Sequence, residues 1–481
     1  MKSRFFLLVA GSACLAFLSA GADLAAQESR VTPGAPATRR TPTVQKCSSI
    51  IVGKDATADG SVILAHNEDL ANYCAHHFVF VPRVTNAPGA TFAAYFGTNV
   101  PQPAVTYAYT ATKIFRKSYV PGDITSGINE HQVAVVNNMS YRRDVPEELA
   151  TTNRLIWTEF TQLALERSTS AREAVRVIGD LAHAYKLGAD SGTMYGVADT
   201  NEGWWVEVTY DGQWVAQRVP SNAVSVRANI FRIDVVDFND PTNFMFSADL
   251  VDYAKSNNWY SDTNAPFRFA TVYAEPSKLD DPYNTRRVWR ANYLLDPRIA
   301  GIEPQHVIAV LRDHYEGTTY DLTGCYTNGS PHQTDERTLC SINSEVSVVC
   351  QLRGWLPVEI GALCWRAMAT PCTSIFSPWY FGSQQIPTPY ATGSNVFTKK
   401  SAYWTFRMVS RYADVRYLVA TGRIRKKFNE FEQKEFAAQA EVEQTAGVLY
   451  LQDRSRATDY LTKYSTKMAK RAMTTANAFA K

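Results

Sequence analysis

The composition of this chain changes abruptly at Cys47. Residues 23–46 are rich in Pro, Thr, Ala and Arg and have almost no large apolar side chains, so they cannot bury enough surface to offset the entropic cost of ordering. From Cys47 onward, the string Ser-Ser-Ile-Ile-Val-Gly has the β-branched content of a strand and ends at a glycine. We therefore predict that residues 23–46 are a propeptide or linker and that the folded body begins at Cys47.

The residues after Cys47 predict a β-hairpin. The first strand is followed by a turn at Asp59-Gly60, a second strand over residues 62–65 and then the polar cluster His66-Asn-Glu-Asp69. A hairpin of this length brings the end of its second strand back beside the start of its first. We therefore expect Cys47 and Asp69 to be neighbours in space.

A cysteine at a chain terminus carries its own base. The α-amine of such a residue has a pKa of about 7.7 to 8.0, near working pH, so nucleophile and base occupy one residue. In this arrangement Asp69 could orient the ammonium of Cys47, and His66 could stabilise the thiolate or bind a substrate carboxylate. The alternative is a polar turn that only closes a hairpin, and spacing alone does not decide between the two.

Residues 1–22 have the pattern of a cleaved secretory signal peptide. Residues 1–4 are basic, residues 5–20 are mostly apolar, and Ala20-Gly21-Ala22 offers the small side chains that a signal peptidase needs. A membrane span requires roughly 20 predominantly apolar residues, and this run is shorter and contains Gly and Ser. We expect a secreted or periplasmic protein that has no membrane partner once the signal is removed.

Charge argues against a nucleic-acid partner. The chain has 49 basic and 46 acidic residues, and no basic run is interleaved with aromatic residues. A Gly-rich phosphate-binding loop is also missing from the sequence. Nucleotide chemistry is therefore not expected.

The cysteines indicate an oxidising compartment. Of eight cysteines, Cys14 leaves with the signal peptide and Cys47 has the role discussed above. The remaining six are enough for three disulfides, although sequence alone does not choose the pairing. A zinc site is the rival interpretation for those between 325 and 372, but they form no CxxC pair and only His332 lies nearby, so we expect no metal and no cofactor. The six are Cys74, Cys325, Cys340, Cys350, Cys364 and Cys372.

Patterns of strand and helix occur in blocks. Short β-branched or aromatic runs occur at residues 50–52, 62–65, 77–81, 104–109 and 133–137. Helical periodicity follows at residues 151–166 and 171–185, and strand-like runs return at residues 196–198, 204–208 and 214–218. Residues 423–481 are charged, rich in Ala and free of Pro, which is typical of long helices. Separate blocks of strands and helices predict an α+β fold rather than strict βαβ alternation.

Further motifs follow the hairpin segment in a family-like order. They are Gly127-Ile-Asn-Glu130, Arg172-Glu-Ala-Val175, Trp204-Trp-Val-Glu207, Trp214-Val-Ala-Gln-Arg218, Ala228-Asn229, Arg286-Arg-Val-Trp-Arg290, the string from Leu311 to Asp321, Arg353-Gly-Trp-Leu-Pro357 and Ser401-Ala-Tyr-Trp404. Together with residues 47–69, they resemble the dipeptidases of peptidase family C69. That family belongs to the choloylglycine-hydrolase and penicillin-acylase-like branch of the N-terminal-nucleophile (Ntn) hydrolases. The resemblance spans roughly residues 47–420.

This resemblance implies a four-layer αββα sandwich over residues 47–422, with residues 423–481 as a helical extension. It implies that Cys47 is the nucleophile once the preceding residues are removed, and that the substrate is the amide bond of a small peptide. By position, Asp69 matches the aspartate that holds the α-amine, and Arg286 matches the active-site arginine. Asn229 matches an oxyanion-binding or substrate-binding asparagine, and Asn138 lies near the second oxyanion position.

One position departs from the family pattern. The family usually has Arg-Asn-Glu-Asp where this chain has His66-Asn-Glu-Asp69. An imidazole is charged only below about pH 6.5 unless its pKa is shifted. If the reaction needs a permanent cation here, activity is reduced or depends more steeply on pH.

Several alternatives remain open at this point. Lys46 precedes the nucleophile, so either Cys47 cleaves its own precursor or a protease specific for basic residues trims it. The leading function is a dipeptidase. The alternatives are an acylase that cleaves an N-acyl amide, such as penicillin V or a bile-salt-like conjugate, and an inactive binding homologue. Sequence leaves open the preferred dipeptide, the formation of a homo-oligomer and the role of the C-terminal helices.

Overall fold

In a computed structural model of the chain, β1 (Ser48–Val52) and β2 (Val62–Asp69) form the predicted antiparallel hairpin. Gly60 has a φ of 79°, a conformation that a glycine adopts without steric cost, in the turn between them. The structure describes residues 47–70, 74–115, 122–143, 152–188, 191–261, 265–323, 330–332 and 336–480. The predicted signal peptide and propeptide lie outside the described residues.

The second strand of the hairpin is longer than predicted. The cluster from His66 to Asp69 does not follow β2 but forms its last four residues, all of them buried. The cause is β16 (Ser344–Leu352), which pairs with β2 along its whole length and satisfies its backbone. The polar cluster is thus a buried part of a central strand and not a polar turn that only closes the hairpin.

The remaining strands complete two large antiparallel sheets and two small ones. The six-stranded sheet has the order β14-β1-β2-β16-β17-β18, and the eight-stranded sheet has the order β15-β13-β12-β11-β10-β9-β8-β3. The small sheets pair β4 with β7 and β5 with β6. The bounds are β3 His76–Val81, β4 Val84–Thr85, β5 Thr91–Ala93, β6 Asn99–Pro101, β7 Val105–Thr106, β8 Tyr109–Ile114, β9 Ile124–Asn129, β10 Ala134–Ser140, β11 Gly192–Ala198, β12 Gly203–Val208, β13 Trp214–Val219, β14 Val224–Arg227, β15 Phe244–Phe246, β17 Ala362–Met368 and β18 Ser377–Tyr380.

Helices cover the outer face of each large sheet. The bounds are α1 Trp157–Arg167, α2 Ala171–Tyr185, α3 Leu250–Ser256, α4 Phe269–Tyr273, α5 Pro282–Leu295, α6 Pro304–Leu311, α7 Val358–Gly361, α8 Thr388–Ala391, α9 Ala402–Val415, α10 Tyr417–Gln452 and α11 Arg454–Asn477. The pair α1 and α2 packs on the eight-stranded sheet, whereas α5 and α6 pack on the six-stranded sheet. The C-terminal pair α10 and α11 contacts β18 at the edge of the six-stranded sheet.

Alternation along the central strands separates three hydrophobic layers. In β2, Leu64 faces the core between the two sheets, whereas Ile63 faces the helices outside. In β10, Val136 faces the core between the sheets and Val135 faces α1 and α2. Because successive strand residues point to opposite faces, each sheet is buried on both sides. The αββα sandwich and its helical C-terminal region are therefore confirmed.

The helices also refine the predicted bounds. Residues 171–185 form α2 as predicted, but α1 begins at Trp157 because Leu155 is extended and pairs with Leu187. The predicted boundary between residues 422 and 423 falls inside α10, which runs without interruption from Tyr417. Among the described residues, none of the helices combines the length and the apolar content needed to cross a membrane.

One disulfide is present among the described residues. Cys350 and Cys364 lie opposite each other on β16 and β17 and are bonded. Cys74, Cys340 and Cys372 are outside any disulfide described here, and Cys325 lies outside the described residues. Of the up to three disulfides predicted, one pair is therefore supported.

Candidate active site

Cys47 lies at the start of β1 and is completely buried. Its Sγ is 3.8 Å from Oε1 of Glu68 and 4.0 Å from the main-chain oxygen of Asp69. The expectation that Cys47 and the end of the polar cluster are neighbours in space is confirmed. The side chain that meets the sulfur, however, is that of Glu68.

The register of the hairpin explains why Glu68 faces the thiol. Ser48 pairs with Asn67, so Cys47 lies opposite Glu68 one step further along the two strands. Directly opposite residues of an antiparallel pair point to the same face of the sheet. Asp69 is the next residue on β2, and its side chain therefore points to the other face.

The carboxylate of Asp69 is held by two donors on that other face. Oδ2 accepts a hydrogen bond from the guanidinium of Arg337, and Oδ1 accepts one from the hydroxyl of Ser344. Burial raises the pKa of the Asp69 carboxyl, and the two donors oppose that shift. The predicted contact of this carboxylate with a terminal amine is not among the contacts described, whereas its main-chain oxygen does contact Cys47.

A chain of buried hydrogen bonds leads from the thiol to the second sheet. Nε2 of His66 is 2.9 Å from Oε2 of Glu68, and Nδ1 is 2.8 Å from the hydroxyl of Ser49. The hydroxyl of Ser49 donates a hydrogen bond to Oδ1 of Asn138 on β10, so Nδ1 of His66 is the donor in its contact with Ser49. His66 therefore contacts Cys47 through Glu68 and not directly.

Asn138 bridges the two sheets. Its Nδ2 donates to the main-chain oxygens of Arg227 at 3.3 Å and Ala228 at 3.1 Å. A carboxamide nitrogen has two hydrogens, and these two contacts with the end of β14 use both. In this arrangement Asn138 has no N–H left for an oxyanion.

Arg287 links Cys47 with Asn229. Its Nη1 donates to the main-chain oxygen of Cys47 at 2.8 Å and to the hydroxyl of Ser48 at 3.1 Å. Its Nη2 donates to Oδ1 of Asn229 at 2.9 Å. Burial lowers the pKa of Arg287 to about 10, so it remains a cation at neutral pH. Among the described residues, Nδ2 of Asn229 has one acceptor, the main-chain oxygen of Met139 at 3.1 Å, which leaves one N–H.

Arg286, the arginine predicted for this site, is not brought to Cys47. Its guanidinium pairs with Glu336 and stacks over the ring of Tyr320, with the side chain 19% exposed. Adjacent residues of a helix differ in direction by about 100°. On α5 the buried face contains Arg287, and Arg286 therefore points away from it.

Glu68, Arg287 and Arg337 are the functional residues that sequence reasoning did not single out. The alternation along β2 could have identified Glu68, which is two positions from His66 and shares its face. Arg287 could have been found from helix periodicity, because Ala291 and Leu295 follow it at intervals of four and are buried with it. Arg337 meets Asp69 across 268 positions, and no local pattern predicts such a contact.

The thiol of Cys47 is held in its protonated form. Burial, together with repulsion from Glu68 and Asp69, raises its pKa well above the ordinary value. Cys47, His66 and Glu68 each present one ligand atom within 4.8 Å of the others, so they could also hold a metal ion. The arrangement as described is a buried thiol that requires a nearby base before it can act as a nucleophile.

A cavity of about 260 Å³ lies on the Arg337 side of this group; His332 and Cys340 are among its lining residues, whereas Cys47 is not. Arg337, which holds Asp69, is part of its wall together with Tyr283, Glu336 and Asn343. Its lining thus presents both an acidic and a basic side chain. Drug-sized ligands usually occupy pockets of roughly 300 to 1,000 Å³, so this cavity fits a smaller molecule.

Comparison with known proteins gives one family match and several relatives. The model described as "Peptidase family C69" matches residues 46–430. A probable dipeptidase of Latilactobacillus sakei is 28% identical over 399 residues, which cover 77% of this chain and 81% of the relative. A probable dipeptidase of Salmonella dublin is 29% identical over 362 residues, covering 70% and 81%. A dipeptidase of Bifidobacterium longum is 24% identical over 430 residues, covering 76% and 77%.

Two solved structures are also similar. The penicillin V acylase of Agrobacterium tumefaciens has a TM-score of 0.38 at 16% identity and covers 69% of this chain and 86% of its own. A mutant conjugated bile acid hydrolase of Clostridium perfringens has a TM-score of 0.32 at 12% identity and covers 67% and 89%.

Proposed function

Because the chain belongs to peptidase family C69, we propose that it is a secreted cysteine-type dipeptidase that becomes active when Cys47 is exposed as its N-terminus. Hydrolysis of peptide bonds follows from the family. The dipeptide substrate is supported by the names of the curated relatives. The single observation that carries the proposal is the position of Cys47, buried at the start of a central strand with Arg287 bound to its carbonyl oxygen.

Exposure of the α-amine supplies the base that the buried thiol requires. While residue 46 is attached, the nitrogen of Cys47 is an amide and cannot accept a proton. Once it is freed, the amine has a pKa of about 7.7 to 8.0 and sits on the same residue as the sulfur. Because the pKa of the thiol is raised and the thiolate is the nucleophile, hydrolysis of a substrate depends on this base.

The reaction divides into two steps. The amine accepts the thiol proton as Sγ adds to the carbonyl carbon of the substrate, and the tetrahedral intermediate breaks down when that proton passes to the leaving amine. Water then adds to the thioester and releases the second amino acid, which restores the thiol. A carboxylate near the amine, Glu68 or Asp69, orients the ammonium that forms transiently.

Asn229 and Arg287 are the groups that stabilise the intermediate. The second N–H of Asn229 can donate to the oxyanion, whereas Asn138 uses both of its hydrogens within the fold. The cation of Arg287 fixes both Asn229 and the carbonyl of Cys47, so it couples the position of the donor to that of the nucleophile. We assign Arg287, rather than Arg286, to the site.

The size of the cavity favours a dipeptide over a bulky acyl amide. A volume of about 260 Å³ suits a substrate with two amino-acid residues. Glu336 and Arg337 in its wall pair with Arg286 and Asp69, and a dipeptide would bind there by exchanging these partners for its ammonium and carboxylate. Penicillin V and bile-salt conjugates are larger and lack the free ammonium that Glu336 would bind.

Export is supported by two features. The N-terminal pattern is that of a signal peptide. The buried Cys350–Cys364 disulfide is typical of an oxidising compartment. Comparison of cell and medium or periplasmic fractions tests this part of the proposal, since a cytosolic protein that keeps residue 1 would contradict it.

The experiment that tests the substrate class compares two panels. The purified protein is given a mixed set of dipeptides and a set of N-acyl amides that includes penicillin V and a conjugated bile salt. We expect amino acids to be released from dipeptides and little product from the amides. The reverse preference would establish the acylase alternative.

A second arm tests the nucleophile itself. Alkylation of Cys47 with iodoacetamide, or a Cys47→Ala substitution, should abolish hydrolysis, whereas Cys74→Ala should leave it within a few-fold. Hydrolysis that survives complete modification of Cys47 would exclude it as the nucleophile. A protein that hydrolyses neither panel before alkylation would support the inactive binding homologue.

A further inference from the structure

Four side chains converge at a second buried point, near the active site but outside its hydrogen-bond chain. One ligand atom each from His314, His332, Cys340 and Cys372 lies within 4.8 Å of the other three. The side chains of both histidines are buried to 99% or more, and both cysteines are buried. The four residues lie in separate segments of the chain and form no CxxC motif, so the sequence pattern does not predict a metal site here.

The separations fit the edges of a tetrahedral zinc site. With Zn–N near 2.0 Å and Zn–S near 2.3 Å, a tetrahedron has N to N edges of about 3.3 Å and N to S edges of about 3.5 Å. Nε2 of His332 is 3.0 Å from Nε2 of His314 and 3.6 Å from each sulfur. The ligand atoms thus surround a space of the size of one metal ion.

Both imidazoles are oriented for this role by a carboxylate. Nδ1 of His314 is 3.0 Å from Glu316, and Nδ1 of His332 is 2.9 Å from Asp414. A carboxylate accepts a hydrogen bond from Nδ1–H, and in a neutral ring this leaves the lone pair on Nε2. Two such lone pairs that face each other repel unless a proton or a metal ion lies between them. Carboxylates that fix the second nitrogen are the usual partners of metal-binding histidines.

Aromatic packing covers the cluster on one side, while His332 and Cys340 also line the cavity next to Arg337. The ring of Tyr417 packs edge-on against both imidazoles, with centroids 5.7 Å from that of His314 and 5.5 Å from that of His332. The same tyrosine packs against Cys340 and Cys372. Four protein ligands in a closed environment characterise structural zinc sites, whereas a catalytic site keeps one position for water.

We propose that His314, His332, Cys340 and Cys372 bind one zinc ion in a structural site. Binding displaces the protons of both thiols, so that two thiolates and two neutral imidazoles surround the metal. The two sulfurs and two nitrogens select zinc over magnesium or calcium, which prefer oxygen ligands. A disulfide between Cys340 and Cys372 is the competing state in an oxidising compartment, and it excludes the metal.

The site would anchor the segment that holds the end of β2. Cys340 is followed by Ser344 and preceded by Arg337, the two residues that hold the carboxylate of Asp69. The main-chain oxygen of Leu339 also accepts a hydrogen bond from Asn67 on β2. A metal bound to Cys340 would therefore restrain the contacts made to Asn67 and Asp69 on β2.

Metal analysis of the full chain tests the proposal independently of any hydrolytic activity. The protein is purified without chelator or metal-affinity resin, and its metals are measured by mass spectrometry. We expect about one zinc per chain in the wild type and in Cys74→Ala, and loss of that zinc in Cys340→Ala/Cys372→Ala. The absence of zinc from the wild type, even after incubation with Zn²⁺, would overturn the proposal.

Because the double variant could fail to fold, a second measurement uses the wild type alone. The chain is stripped of metal under reducing conditions and titrated with Co²⁺. A tetrahedral site with two thiolates gives intense visible d–d bands and a near-ultraviolet thiolate-to-cobalt band that saturate at one equivalent. Weak octahedral bands, or a Cys340–Cys372 disulfide found by peptide mapping of the native protein, would contradict zinc binding.

Discussion

Arg287 donates a hydrogen bond of 2.8 Å to the main-chain oxygen of Cys47, a residue 240 positions earlier in the chain. Helix α5 thereby holds the start of β1 in place, where the proposed nucleophile lies. The same guanidinium binds Asn229, so one cation positions both the nucleophile and the donor assigned to the oxyanion. Loss of this side chain should disturb both groups together.

The two neighbouring arginines should therefore differ sharply on substitution. We expect Arg287→Gln to lower kcat/KM for a dipeptide by about 100-fold or more, as loss of an oxyanion-stabilising group does. Arg286→Gln, the matched control, removes the partner of Glu336 in the wall of the cavity, so it should change KM more than kcat and leave kcat within a few-fold. Steady-state kinetics checks this, with circular dichroism to verify that both variants fold. An equal or larger loss of activity in Arg286→Gln would assign the active-site role to Arg286 instead.

Glu68 should control the reactivity of the thiol. Its negative charge lies beside Sγ of Cys47 and contributes to the raised pKa of the thiol. We expect Glu68→Gln to shift the pH dependence of Cys47 alkylation by iodoacetamide to lower pH, because the repulsion is removed. Mass spectrometry of the modified peptide over a pH series measures the shift. Glu336→Gln is the control and should leave the curve in place, and an unchanged curve for Glu68→Gln would contradict this account.

The disulfide between β16 and β17 should contribute to stability. It closes a loop with a sequence separation of 14, and loops of about this length give roughly 3 kcal/mol. We expect Cys350→Ala/Cys364→Ala to lower the free energy of unfolding by about that amount in urea titrations. Cys74→Ala should have a smaller effect, and a double variant as stable as the wild type would rule out the contribution.

Glu159 should make stability depend on pH. Its carboxylate accepts hydrogen bonds from the backbone of Ile156 and Tyr95, but burial raises its pKa from 4.5 to about 7. Because the folded-state pKa is the higher one, its favourable contribution is complete below pH 4.5 and is lost as pH rises through about 7. We expect Glu159→Gln to remove this decline.

Urea titrations between pH 4.5 and 8 measure that difference. The gap in free energy of unfolding between Glu159→Gln and the wild type should move in favour of the variant as pH rises. The exposed Glu441→Gln serves as the control and should follow the wild type throughout. If the stability of Glu159→Gln and that of the wild type changed with pH in parallel, burial would not be raising the pKa of the Glu159 carboxyl.

Many elements of the fold could be predicted from the sequence because their determinants are local, whereas the αββα arrangement was expected from the family resemblance. The β-branched content of β1 and β2, helical periodicity in α2 and the composition of the C-terminal residues each identify an element directly. The proximity of Cys47 to Asp69 follows from strand length alone. The extension of β2 to Asp69 was missed, because polar residues are buried there only through pairing with the distant strand β16.

The site was predicted less completely, since side-chain direction depends on register and on distant partners. Glu68 rather than Asp69 meets the thiol because of a one-residue difference on β2. Arg287 rather than Arg286 meets Cys47 for the corresponding reason on a helix. The four residues of the proposed zinc site come together only in the folded chain, and spacing argued against them.

The most direct test of the central claim is the N-terminus of the exported protein, determined by intact mass and N-terminal sequencing and measured together with dipeptide hydrolysis. We expect the active protein to begin at Cys47, and a precursor that retains residue 46 to be inactive. Accumulation of unprocessed Cys47→Ala precursor would further assign the cleavage to the chain itself, whereas normal trimming would assign it to another protease. A stable protein that begins near residue 23, whether it hydrolyses dipeptides or is inert, would contradict the claim that a terminal Cys47 is the nucleophile.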